Sequence, residues 1–134
     1  MKIHWLLILL TGALLEILLL LIFEVLYLIG VTVHPLVSPF LVPALMVGGG
    51  FFVANKAGNR KILHGFLTGL AGILGYFLIA GPAFLAGEIP VTERFLFLHG
   101  LKIAGGLIGG IVAWYCTRGQ QQEGSSETEV MIND

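Results

Sequence analysis

The sequence predicts an all-α protein, an integral membrane bundle of four helices, and three observations predict it. The 134-residue chain is 57% hydrophobic and only 11% charged, where a soluble domain carries about a quarter charged residues. The apolar residues fall in four long stretches, about 3–29, 36–54, 62–86 and 93–116, and about 20 such residues cross a bilayer as a helix. The basic residues collect at alternate junctions of these stretches, as they do when loops sort to two sides of a membrane. Residues 1–117 therefore read as one transmembrane domain, with a tail over 118–134.

The first span carries Trp5 and Tyr27 near its ends, where interfacial aromatics belong. They lie 22 residues apart (27 − 5), which is about 33 Å of helix and matches a hydrocarbon core of about 30 Å. Lys2 followed by an apolar run suits the start of a signal peptide, but this run reaches Ile29 with no A-x-A site after it. That is far longer than a signal's apolar region of roughly 7–15 residues, so it reads as a retained span.

The second span holds Pro39 and Pro43 in its first half and Gly48, Gly49 and Gly50 in its second. Two readings stand. The prolines fall in a first turn, where they are tolerated, or they break a helix that lines a cavity. A re-entrant second span would leave three crossings and put the Lys56 loop or the tail outside, against the charge rule. The third span has Gly81-Pro82 near its far end, and the fourth closes on Trp114 and Tyr115.

Orientation follows from the junctions. Lys2 precedes the first span, Lys56, Arg60 and Lys61 join the second to the third, and Arg118 follows the fourth. The other two junctions carry His34, Glu88, Glu93 and Arg94. The positive-inside rule then places both termini and the 55–61 loop in the cytoplasm. The tail holds Glu123, Glu127, Glu129 and Asp134 with few apolar residues and no periodicity, and it reads as a disordered, acidic, solvated segment. A lone cysteine, Cys116, excludes an internal disulfide.

Glycine is placed with a helical period. Gly65, Gly69, Gly72 and Gly75 stripe the third span, and Gly105, Gly106, Gly109 and Gly110 stripe the fourth. Small residues at such spacing let helix backbones approach closely, which matters where lipid gives no hydrophobic push between helices. Gly65, Gly69, Gly72, Gly106 and Gly110 are the candidate packing residues, within one chain or between two. The third and fourth spans then form the packed centre, and the first, rich in Leu and Ile, faces lipid. There is also an internal echo. Gly49-Gly50-Phe51-Phe52-Val53-Ala54 precedes one basic junction, and Gly109-Gly110-Ile111-Val112-Ala113-Trp114 precedes another. A parallel repeat of two hairpins would produce it.

A few charges lie where lipid should be. Glu16 is eleven residues from Trp5 and eleven from Tyr27 (16 − 5 and 27 − 16), at mid-span. Lys102 lies close to the same depth on the fourth span, with His99 one turn outward and Glu24 at a depth like that of His99. Glu16, Leu20 and Glu24 step by four along the first span, and His99, Lys102, Gly106, Gly109 and Ala113 share a face of the fourth. A charge at a helix centre costs about 2.5–3.5 kcal/mol or more, so it needs a partner or water. The expectation is that Glu16 pairs with Lys102 where the first and fourth spans touch. Three uses of Glu16, Lys102, Glu24 and His99 remain open: a structural ion pair, a proton or ion pathway, or a contact with a partner subunit or lipid headgroup.

The remaining chemistry is thin. His4 and His64 fall at the cytoplasmic interface, and no histidine or cysteine spacing suits a metal. No G-x-S-x-G or H-E-x-x-H occurs. No cofactor, metal, nucleic acid or catalysis is expected.

The junction of the second and third spans runs from Gly48 through Ala54, Lys56, Arg60 and Lys61 to Leu63-His64-Gly65 and Gly69. It resembles small glycine-rich four-span bacterial membrane proteins of the YrzE type. The resemblance covers about 25 residues and the four-span layout, and it implies a bacterial inner membrane and no particular activity. The expected function is an accessory or structural membrane component with the lipid bilayer as its partner. The alternative is a small homodimeric transporter or channel that uses Glu16 and Lys102.

Overall fold

The computed structural model describes residues 4–31 and 37–118 in full and carries the backbone of the last helix on to residue 132. The expectations that fall on Lys2, on His34 and on the side chains of the tail after Arg118 lie outside the described residues. Four helices follow in order, α1 over Trp5–Leu28, α2 over Ser38–Lys56, α3 over Lys61–Leu85 and α4 over Glu93–Ile132. No strand occurs among the described residues. All of α1, α2 and α3, and the Glu93–Arg118 part of α4, are long and apolar enough to cross a membrane.

The helix ends have local causes. After α1, Gly30 takes a positive φ of 72°, and Val31 N donates to Leu26 O at 2.9 Å. After α3, Gly87 takes φ 75°, and Glu88 N donates to Ala83 O at 3.0 Å. Both are left-handed glycine caps that satisfy carbonyls the helix itself cannot. At the other end of the bundle a short turn, 57–60, joins α2 to α3.

The second span differs from its sequence reading in register and in the place of Pro43, and of the two readings of its prolines it takes the continuous one. It is a single helix displaced two residues toward Lys56, and it holds Pro43 inside it. Pro39 sits in its first turn, where a missing N–H costs nothing. Pro43 forfeits one bond, the one to Pro39 O, and the helix continues past it. A broken second helix is therefore not what the chain forms.

The packing centre is also broader than the glycine stripes of two spans imply. The closest helix pairing is α2 with α4, followed by α3 with α4 and α1 with α3. The reason lies in α4, whose two glycine pairs are offset by one residue, about 100° around the helix. A Cβ on Gly105 would stand 2.7 Å from Pro43 O of α2. One on Gly110 would stand 2.9 Å from Ile62 Cα of α3. Thus α4 beds into the groove between α2 and α3, using one glycine pair for each wall. The stripe on α3 divides in the same way. Gly65 and Gly69 meet α4, whereas Gly72 meets Met46 of α2 and Gly75 meets Ala13 of α1.

Across the bundle α1 lies on α3, with a Cβ on Gly12 reaching Ala71 Cβ at 2.5 Å. It leans only lightly on α2, and its backbone does not approach α4. The four helices form a rhombus, α2 and α3 on the short diagonal and α1 and α4 at the far corners. The buried stripe of α1 is Ile8, Gly12, Glu16 and Leu19. Met46 and Val53 of α2 are wholly enclosed. Leu6, Leu10, Leu14 and Leu21 of α1 and Leu78 and Leu85 of α3 remain exposed, a surface that suits lipid and not water.

Candidate functional site

The open seam of the rhombus, between α1 and α4, is where the mid-helix charges meet. Glu16 belongs to the buried stripe of α1, whose members step by four, four and three residues. Lys102 projects from α4 toward it, one turn ahead of the first glycine pair. Its Nζ donates to both carboxylate oxygens, at 2.8 Å to Oε1 and 2.7 Å to Oε2. Both residues are closed off, Glu16 at 3% exposure and Lys102 at 4%. The two helices meet here through side chains alone, with the lysine stem bridging backbones that stay apart.

Aromatic rings wall the pair on one side. The ammonium stands 4.9 Å from the centre of the Tyr76 ring of α3, close enough for a cation–π attraction. Tyr76 presents its edge to His99, 4.9 Å between centres. His99 lies against Phe95 at 4.2 Å. Phe77 and Phe84 extend the cluster. Sequence reasoning missed Tyr76 and Phe95. The one signal available was a hydroxylated ring at mid-span, and using it requires knowing which way α3 is turned.

The tautomer of His99 follows from its neighbours. Nδ1 lies 2.8 Å from Phe95 O, four residues earlier on the helix. A carbonyl only accepts, so Nδ1 carries the hydrogen. The neutral ring then has a bare Nε2 acceptor, and that atom is buried with no hydrogen-bond partner. Beside it lies a cavity of about 170 Å³, bounded by Glu16, Leu20, Phe23, Tyr76, His99 and Lys102 among others. It has the volume of a single-ring molecule, since an apolar cavity of about 150 Å³ accommodates benzene.

The structure therefore brings Glu16, Lys102 and His99 to one cavity and leaves Glu24 out. Glu24 is exposed on α1 and lines no part of that cavity. Helical drift explains it. Eight residues beyond Glu16 amount to about 800°, which falls about 80° off the buried face, while seven residues return to within about 20° of it. Phe23 takes the inward place accordingly. The five candidate glycines all stand at helix crossings, where an added Cβ would meet a neighbouring helix.

The chemistry this arrangement supports is limited. The pair is neutral overall, with both carboxylate oxygens held by the one ammonium. No group of three or more His, Cys, Asp or Glu side chains gathers among the described residues. Comparisons with protein-family models, with curated proteins and with solved structures give no match.

Proposed function

We propose that this chain is a small multi-pass protein of a bacterial inner membrane, with both termini and the 57–60 turn in the cytoplasm. We propose further that its role is accessory or structural and not enzymatic. The observation that carries this reading is the closed Glu16–Lys102 pair, in which both carboxylate oxygens are held by one ammonium. A charge committed to a full partner fixes the register of α1 against α4 and is not free to carry a proton or ion. The orientation is supported by Lys56, Arg60, Lys61 and Arg118, which all stand at one end of the bundle.

A parallel repeat of two hairpins is supported by equal offsets in the packing. Gly12 of α1 meets Ala71 and Gly72 of α3, and Gly109 of α4 meets Gly50 and Phe51 of α2. Each pair is separated by about 60 residues, the same step that relates His4 to His64, Gly12 to Gly72 and Gly49-Gly50 to Gly109-Gly110. A hairpin duplicated about a two-fold axis along the membrane normal touches itself in that manner.

One observation favours the second reading, a small homodimeric transporter. The cavity beside the ion pair offers a bare His99 Nε2 and a ring of aromatic side chains. The experiment that separates the two is Glu16→Gln combined with Lys102→Met in the full chain, reconstituted in vesicles that carry a pH-sensitive dye. The structural reading expects no proton or cation flux from the native protein and normal accumulation of the double variant. A flux through the native protein that the double variant abolishes overturns it in favour of transport.

A further inference from the structure

A second cavity, of about 250 Å³, opens at the basic end of the bundle between the 57–60 turn and the last turns of the α4 span. It is bounded by Asn59, Arg60, Lys61, Trp114, Thr117 and Arg118. Three of these side chains are cations. The carboxylates of the described residues are Glu16, bound to Lys102, and Glu24, Glu88 and Glu93, which stand at the opposite end of the helices. This end thus holds a concentrated positive charge with no described carboxylate to answer it.

Lys61 makes the case specific. It is buried, at 8% exposure, and Nζ donates to Thr117 Oγ1 at 2.6 Å. That hydroxyl spends its own hydrogen on Ala113 O at 2.7 Å, so it meets the ammonium with a lone pair only. An ammonium has three donors. One goes to a neutral hydroxyl, and no described carboxylate lies within ion-pair distance. A buried cation without a counter-charge is costly and calls for an anion. Arg118 is held over the Trp114 ring at 4.2 Å, which leaves the edge of its guanidinium for oxygen ligands. Lys61 also opens α3, whose first turn has no side-chain cap, so its free amides and helix dipole add to the positive field.

We propose that this cavity binds the phosphodiester of an anionic phospholipid, with Lys61 and Arg118 on the phosphate oxygens and Trp114 at the level of the headgroup. The proposal rests on the membrane-spanning reading with this end in the cytoplasm. Phosphate chemistry accounts for the guanidinium and the ammonium together, and the place of the cavity at the end of apolar spans selects a lipid over a soluble phosphate. Basic recesses between spans on the cytoplasmic side suit anionic headgroups for these reasons.

The test uses the full chain with Trp5→Phe, so that Trp114 is the one reporter. It is reconstituted in phosphatidylcholine bilayers that contain a minor fraction of brominated phosphatidylglycerol or brominated phosphatidylcholine. The site expects preferential quenching by phosphatidylglycerol. Lys61→Gln and Arg118→Gln should each weaken that preference about fivefold, the worth of one basic contact at such a surface. Lys56→Gln, a cation at the same end that does not line the cavity, should keep it. Arg118 is exposed, so its variant reports on binding even where the Lys61 variant does not fold.

Equal loss in Lys56→Gln would mean a diffuse surface attraction and overturns the site. Displacement by millimolar inorganic phosphate would assign the cavity to a soluble anion and overturns the lipid. A preference seen only after Glu123, Glu127 and Glu129 are changed to Gln would mean that the acidic tail occupies the cavity, which also overturns it. Quenching by neither brominated lipid refutes the membrane reading itself, whereas equal quenching by both refutes the site alone.

Discussion

Lys102→Met is the perturbation that reads the Glu16–Lys102 pair most directly. It removes the ammonium while keeping a flexible apolar stem of similar length. Glu16 is then left at 3% exposure, having lost both of the hydrogen bonds its oxygens accept from Lys102. A carboxylate so placed is a buried charge without a partner. Removing one partner of a buried ion pair in this way costs about 3–5 kcal/mol. Adding Glu16→Gln removes the ionisable group altogether. The double variant should then return to within about 1 kcal/mol of the native protein, since buried pairs often exchange for neutral side chains at little cost. Glu16→Gln alone strands the ammonium in the same way, so with each single at about 3–5 kcal/mol and the double at about 1 kcal/mol the coupling energy of the cycle is about 5 kcal/mol or more. The assay is equilibrium unfolding in mixed micelles with rising dodecyl sulfate, followed by circular dichroism and repeated for the four members of the cycle. Additive effects, with the double variant at the sum of the two singles, would refute the idea that each charge is held there by the other.

Further outcomes follow from the helix crossings and from the single thiol. Gly69→Ala should destabilise the bundle by about 1–3 kcal/mol in the same assay, the usual cost of overpacking. Its Cβ would stand 2.6 Å from Lys102 O and 2.8 Å from Ile103 Cα, both backbone atoms that cannot move aside alone. Gly48→Ala is the control. Nothing lies within 4 Å of its Cβ, and it should be neutral or stabilising by up to about 1 kcal/mol through helix propensity. Met46→Ala empties a site that is 0% exposed and should cost about 2–5 kcal/mol. Cys116 is an exposed thiol at the basic end, so a membrane-impermeant maleimide should label it in inverted vesicles and not in intact cells. Labelling in intact cells would reverse the proposed orientation.

Much of the arrangement was legible because it depends on length, depth and charge. The four helices follow from apolar run lengths. The meeting of Glu16 with Lys102 follows from counting residues along two helices of fixed rise, since depth needs no knowledge of neighbours. What escaped was rotation about the helix axes. Glu24 has a depth similar to that of His99, but helical drift turns it off the inward face and gives that place to Phe23. Tyr76 has the right depth too, yet nothing in its own helix says that it turns toward α4 and not toward lipid. The importance of α2 was hidden for a different reason. Two prolines and three consecutive glycines argue against a good helix in water. In the bundle those residues are what allow α4 to come close, with Pro43 O and Gly50 lying directly against Gly105 and Gly106. The buried Lys61 was hidden by its charge. A basic residue at a junction is read as solvated, and only its partner Thr117, 56 positions away, reveals that it turns inward.

The seam between α1 and α4 also has a counterpart that explains why the polar groups gather there. On the repeat proposed above, α3 with α2 is the mate of α1 with α4. At the 60-residue step Glu16 corresponds to Tyr76, and Val42 corresponds to Lys102. Tyr76 and Val42 line the same cavity as Glu16 and Lys102, while α2 and α3 pack backbone to backbone. The seam that holds Glu16 and Lys102 stays open, spanned by a side-chain ion pair and flanked by a cavity. On that repeat, one of the two equivalent helix pairs is closed and the other stands open. An apolar seam has only packing to hold it and must close. A polar seam can stand apart, because a lysine stem reaches across the gap and the charges need each other more than the backbones do. The gap that the lysine spans between α1 and α4 leaves room for the cavity beside Glu16.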